Sequence, residues 1–115
     1  MLKPDIVRLQ HMLDAANEAL SFVADKSKVA LETDRALALA LVKSIEIVGE
    51  AASKISLELK SLSPEIPWAD IVAMRNRLIH SYFDVNLDIV WQTVTVELPA
   101  LVMQIQKLLA GNDSQ

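Results

Sequence analysis

A chain of 115 residues amounts to one domain, long enough to bury about two thirds of the surface its unfolded form exposes. Apolar residues make up 52% of it and aromatics only 4%, and two glycines with four prolines supply too few turn residues for an all-β protein. The absence of cysteine excludes disulfides and thiolate chemistry, and a net charge of −4 counts against a broad nucleic-acid-binding face while leaving room for a local one.

The apolar mass is Leu, Ile, Val and Ala, as in a helical domain. A mean hydropathy of +0.30 is high for a small monomer, whose surface is mostly wet, and the excess reads as a subunit interface. The N-terminal MLKPDIVRLQ lacks the apolar core of a signal peptide. The most apolar run, 36-ALALALV-42, falls far short of the roughly 20 residues a spanning helix needs. The expectation is a soluble cytoplasmic protein without a membrane segment.

The first helix is expected over about Pro4–Asp25. Pro4 suits the first turn, where its missing N–H costs nothing, and Asp5 complements the helix dipole. Ile6, Leu9, Leu13, Ala16, Leu20 and Val23 form its apolar stripe. His11 lies off that stripe and reads as an ordinary exposed histidine. A polar break, 25-DKSK-28, precedes a short turn around residues 27–32. Thr33 or Asp34 then caps a long second helix expected to reach about Leu59, apolar on more than one face. Gly49 interrupts it, either because another backbone packs closely there or as a tolerated imperfection. Glu50 beside it reads as a surface residue.

The linker 61-SLSPEIPW-68 ends that helix. Pro67 opens a third, with Trp68, Ile71, Val72 and Met74 as its expected buried positions and a frayed end near His80 to Tyr82. The run 83-FDVNLD-88 reads as a turn, and Asn86 caps a fourth helix with Val90, Val94, Leu98, Leu101, Ile105 and Leu108 as its stripe. Pro99 falls inside it, so a kink or break is expected there, with a fifth helix if the break is complete. The fold class is therefore all-α, a four- to five-helix up-and-down bundle over residues 1–110, with 111-GNDSQ-115 as a flexible tail.

Within this apolar chain, 75-RNRLIHSY-82 concentrates polar chemistry: Arg75, Asn76, Arg77, His80 and the sole tyrosine, Tyr82. Two distant histidines and no cysteine do not suggest a metal site, and no metal or other cofactor is expected. There is no glycine-rich phosphate loop and no serine-hydrolase elbow. The cluster has the logic of phosphodiester chemistry. Histidine both accepts and donates a proton near neutrality, and arginine offers a permanently charged fork to phosphoryl oxygens. With RNA as substrate the 2′-OH is already the nucleophile. The plain alternative is a polar helix end, with basic side chains on the C-terminal dipole and Tyr82 covering the core.

On one straight helix Arg75 and His80 lie roughly 140° apart, whereas Asn76 and His80 share a face. Arg75 and His80 thus converge only through long side chains, a helix end near His80, or a second copy across a dimer axis. The last option joins the apolar excess to the cluster.

The pattern R-x4-H-x-Y with asparagine after the arginine resembles the signature of the HEPN superfamily, specifically its HepT-like toxin branch. The stretches 46-EIVGEAASKIS-56, 64-PEIPWADIVAMRNRLIHSYFDV-85 and 87-LDIVWQTVTVELPAL-101 resemble that family in the expected order. The resemblance implies a HEPN-like all-α homodimer acting as a metal-independent endoribonuclease toxin of a type VII-like toxin–antitoxin pair. The implied partner is an MntA-type minimal nucleotidyltransferase antitoxin. By the same resemblance Arg75 stabilises the phosphoryl transition state, His80 is the general acid/base, and Asn76 orients the site. Tyr82 matches the tyrosine that the antitoxin adenylylates using ATP, adding bulk and negative charge where the RNA phosphate binds. Arg77 stands evenly between substrate-phosphate contact and plain solvation. A rival of another class is a catalytically silent helical dimer that only docks with a nucleotidyltransferase.

Overall fold

The computed structural model describes residues 1–81 and 84–113, with the backbone alone for residues 79–81, 112 and 113. The first helix, α1, spans Lys3–Val23 with its proline in the first turn. Two residues past its end the chain turns at Asp25, whose φ of 63° lies in the left-handed region that aspartate tolerates better than most residues. A single helical turn, α2 (Val29–Thr33), stands where the short turn was expected.

Of the two candidate caps, Thr33 and Asp34, it is Asp34 that caps α3 (Arg35–Ser53), accepting from the Leu37 N–H at 3.0 Å. The long helix does not reach Leu59, however. It stops at Ser53, and a separate turn, α4 (Leu57–Leu62), restarts behind a new cap in which Ser56 Oγ accepts from the Leu59 N–H at 3.1 Å. The cause lies far away in sequence. The buried Asp5 carboxylate accepts from both the Ser56 N–H (2.9 Å) and its hydroxyl (2.6 Å), so the first turn of α1 holds the start of α4. Asp5 thus stands in the first turn of α1, where its charge complements the helix dipole, and also has a tertiary partner that the sequence does not show.

The linker is pinned by Trp68, whose indole N–H donates to the Ser63 carbonyl (3.2 Å) and hydroxyl (3.1 Å). The third expected helix comes in two pieces, α5 (Trp68–Val72) and α6 (Met74–Leu78), separated at Ala73. There the Asn76 N–H bonds the Ala73 carbonyl three residues back, at 3.0 Å. Trp68, Ile71 and Met74 are buried as expected, whereas Val72 is on the outside at 40% exposure.

Beyond Leu78 the chain does not simply fray. Strand β1 (Ile79–Ser81) pairs antiparallel with β2 (Asp84–Val85), Ile79 opposite Val85 and Ser81 opposite Asp84, with an irregularity between. The Asn86 N–H closes the ribbon on the Leu78 carbonyl at 2.6 Å. This small ribbon occupies part of what reads as a turn in the sequence. Five residues with two β-branched or aromatic side chains carry too little periodicity to announce it.

Asn86 then caps α7 (Leu87–Gln92), accepting from the Ile89 N–H at 3.2 Å. The helical path does not break at Pro99. It widens into a π-helical turn, Thr93–Glu97, and runs on as α8 (Leu98–Asp113), past the stop expected at Gly111. Proline removes one backbone donor and crowds the carbonyl of the preceding turn. A wider turn just upstream, in which the Leu98 N–H reaches back to Thr93, accommodates that ring without ending the helix.

The core lies between α1, α3 and the α7–α8 rod, with α5 and α6 packed across α3. Leu9, Met12, Leu41, Ile45, Leu78, Val90, Val94, Leu98 and Ile105 are fully enclosed, each worth roughly 1.5–3 kcal/mol of transfer free energy. On α1 the buried face centres on Leu9, Met12, Ala16 and Ala19, while Leu13 and Leu20 of the expected stripe are half-buried. Among the described residues no helix is long and apolar enough to cross a membrane.

Candidate functional site

The arginines are placed by the break at Ala73, and that break faces Gly49. A Cβ added at Gly49 meets the Ile71 carbonyl oxygen at 3.2 Å and that of Val72 at 3.6 Å, so α3 and the end of α5 touch backbone to backbone. Of the two readings of Gly49, close approach is the one the structure bears out. The contact sets the height of α6 along α3.

From α6, Arg75 extends toward α3, and its Nε donates to Glu46 Oε1 at 2.9 Å. Arg75 is 55% exposed and Glu46 29%, so the pair contributes at most about 1 kcal/mol to stability and acts mainly to orient. The two terminal guanidinium nitrogens have no partner among the described residues. Arg77, two residues on and therefore about 200° around the helix, turns the other way. Its Nη2 meets Glu97 Oε1 at 3.5 Å, while Glu97 Oε2 accepts from the hydroxyl of buried Thr93 at 3.1 Å. The π-helical turn that absorbs Pro99 thus also holds the glutamate facing Arg77. Asn76 lies exposed between the two, with no side-chain partner among the described residues.

His80 falls in β1, two residues past the end of α6, so the 140° separation of a straight helix does not apply to it. Of the three options for bringing Arg75 and His80 together, a helix end near His80 is present in the backbone, since α6 stops at Leu78. Tyr82 lies outside the described residues.

Sequence reading missed the surroundings of Arg75. A cleft of about 400 Å³ between α1 and α3 is lined by Arg8, His11, Lys43, Glu46, Glu50, Lys54 and Arg75, together with Ile47 and Ala51. Residues 43, 46, 47, 50 and 51 of α3, with Lys54 just past its end, follow the three–four spacing of one helical face, and Arg8 and His11 are three apart on α1. The juxtaposition of the two faces, with Arg75 at their edge, is set by tertiary packing and not by local spacing. His11 is exposed as expected, but it shares this cleft with Arg75.

Comparison with known proteins gives these features a family. The family model described as ribonuclease HepT-like matches residues 12–108. A protein of Caldanaerobacter subterraneus subsp. tengcongensis, which bears an RNase name given by inference, is 36% identical over 101 residues, 88% of this chain and 90% of the relative. A protein of Thermococcus cleftensis, named by inference as a ribonuclease HepT, is 40% identical over 75 residues, 65% of this chain and 68% of the relative. A third, from Methanocaldococcus jannaschii and also carrying an inferred RNase name, is 29% identical over 101 residues, 88% of this chain and 87% of the relative. No solved structure matches the chain at a significant level. The matched region runs from α1 through α8 and includes Arg75, Asn76, Arg77, His80 and Tyr82, and the chain belongs to the HepT-like ribonuclease family.

Proposed function

We propose that this protein is a metal-independent endoribonuclease toxin, working as a homodimer, in which Arg75 and His80 cleave RNA and a nucleotidyltransferase partner silences the site by adenylylating Tyr82. The observation that carries the reading is the motif R-x4-H-x-Y running off the end of α6, with Arg75 anchored through Nε and its terminal fork turned out of that ion pair. An arginine held by one edge presents the two nitrogens that match a phosphoryl group. In the proposed reaction His80 takes the proton from the 2′-OH, which attacks the adjacent phosphorus. Negative charge builds on the non-bridging oxygens, and Arg75 stabilises it there. The 5′-oxygen leaves with a proton from a histidine, and two protomers would bring a second copy of His80 to that step. Asn76 orients substrate beside Arg75. Arg77, held toward Glu97, contacts a more distant phosphate.

The test is incubation of purified protein with RNA in EDTA, beside Arg75→Ala and His80→Ala. Wild type is expected to cut, and each variant to fall by about 10²–10³ in kcat, the scale on which loss of a transition-state charge donor is felt. Equal, background-level cleavage by all three leaves the rival reading, a silent helical dimer that only docks with the nucleotidyltransferase. That rival draws on the net charge of −4 and on the glutamate facing each motif arginine. The regulatory half is read separately. Exposure to an MntA-type nucleotidyltransferase and ATP is expected to add AMP mass to wild type and none to Tyr82→Phe.

A further inference from the structure

The cleft between α1 and α3 contains more positive charge than its own carboxylates neutralise. Four of the chain's 11 Lys and Arg side chains line it, in a molecule of net charge −4. Its two glutamates are already engaged: Glu46 with Arg75 at 2.9 Å and Glu50 with Lys54 at 3.4 Å. Arg8 and Lys43, one from each wall, have no carboxylate partner among the described residues. His11 adds a ring N–H donor in either protonation state. Ile47 and Ala51 supply an apolar floor between the charges, and about 400 Å³ lies within the size range of small-ligand pockets. Arg75 stands at the same cleft, so whatever occupies it runs up to the guanidinium that the proposed reaction uses.

We propose that this cleft is the strand-holding part of the site, in which Arg8 and Lys43 bind backbone phosphates of single-stranded RNA leading to Arg75. The inference rests on the ribonuclease reading for the identity of the strand. Two ion pairs on the α3 side, Glu46–Arg75 and Glu50–Lys54, with one spare cation on each wall, fit a ligand carrying spaced single negative charges better than a compact polyanion. A single strand also fits better than a duplex, since a groove between two adjacent helices is too narrow for a paired double helix. Glu46 has a place in the same scheme. It keeps Arg75 aligned along the cleft, and its charge is cancelled there, so it does not repel the strand.

The experiment measures binding of a 2′-O-methylated single-stranded RNA, which has no free 2′-OH to attack, by fluorescence anisotropy across a range of salt concentrations. Four proteins are compared: wild type, Arg8→Ala/Lys43→Ala, Arg8→Lys/Lys43→Arg, and a control of the same net charge change outside the cleft, Lys26→Ala/Lys107→Ala. The cleft variant is expected to bind about tenfold more weakly at moderate salt. Its slope of log K against log salt should fall by about 1.4, two contacts at roughly 0.7 each for a single strand. The charge-conserving variant should keep wild-type slope, and the distant control should stay near wild type. An unchanged slope in the cleft variant overturns the proposal, as does an equal loss in the distant control. Melting curves of all four verify folding, and the charge-conserving pair keeps the result interpretable if truncation disturbs α1. Cleavage of unmodified RNA separates the two readings. If wild type binds through Arg8 and Lys43 but does not cut, the ribonuclease reading fails and the cleft stands. If wild type cuts and the cleft variant matches it in both KM and slope, the cleft fails and the ribonuclease reading stands.

Discussion

Glu46 and Arg75 meet across 29 positions of sequence, and the worth of that contact lies in direction rather than stability. Glu46→Ala is therefore expected to leave Tm nearly unchanged while lowering kcat about tenfold, equivalent to ~1.4 kcal/mol of lost alignment. Glu46→Gln keeps an acceptor for the Arg75 Nε and should recover much of the loss. A Tm drop with kcat intact would make the pair merely structural. Asp5 is the opposite case. Its buried carboxylate satisfies two donors of Ser56, and Asp5→Ala strands a part-buried N–H at the cap of α4. A loss of about 1–3 kcal/mol in urea melts is expected. Arg75, Asn76, Arg77, His80 and Tyr82 were legible because they crowd into eight residues. Glu46, Glu97 and the Asp5–Ser56 contact were not, because a lone glutamate or aspartate on a helix looks solvated until its partner is known.

At the scale of elements, Gly49 links the core to the site. Alanine at this position gains about 1 kcal/mol of helix propensity but places a Cβ 3.2 Å from the Ile71 carbonyl, a backbone atom with little room to yield. Gly49→Ala is expected to lower Tm and, by pushing α5 and α6 off α3, to lower cleavage as well; Gly49→Val should do both more strongly. A rise in Tm for the alanine variant would mean that α5 yields freely. A second link is Lys28, just before α2, whose ammonium reaches Asp88 in the first turn of α7 at 2.5 Å. The hydrogen bond to Asp88 and its charge raise the Lys28 pKa above 10.5. The folded form thus holds this proton more tightly than the unfolded one. The stabilisation is complete below pH 10.5 and is lost as pH rises through the raised value. The small Tm difference between wild type and Lys28→Met should accordingly disappear in that alkaline window. The caps at Asp34 and Asn86 were readable because a capping side chain acts within three residues. The breaks at Ser53 and Ala73 and the π-helical turn before Pro99 were not, because each answers to a partner or a ring that local spacing does not encode.

For the molecule as a whole, the apolar excess has a place. Val96 and Met103 are 61% and 63% exposed, and with Ala100 between them they follow helical spacing along the π-helical turn and α8. Val96 and Ala100 also line a groove of about 420 Å³ with Pro67, Ile71, Met74 and Leu101. The proposed homodimer is expected by light scattering at micromolar concentration, and Val96→Glu/Met103→Glu should shift it toward monomer and reduce cleavage if two protomers share one site. A wild-type monomer that cuts at full rate would remove the composite cleft. The sequence by itself determined the all-α class, the helix caps, most of the buried stripe and the segment that bears Arg75 and His80. All of these depend on periodicity or on contacts within a few residues, where chain connectivity alone sets the geometry. Only the tertiary structure decided where the long helices break, which glutamates face Arg75 and Arg77, and that His11, Arg8 and Lys43 share a cleft with Arg75. Those outcomes depend on which helix faces pack together, and that is settled by the burial of the whole core at once.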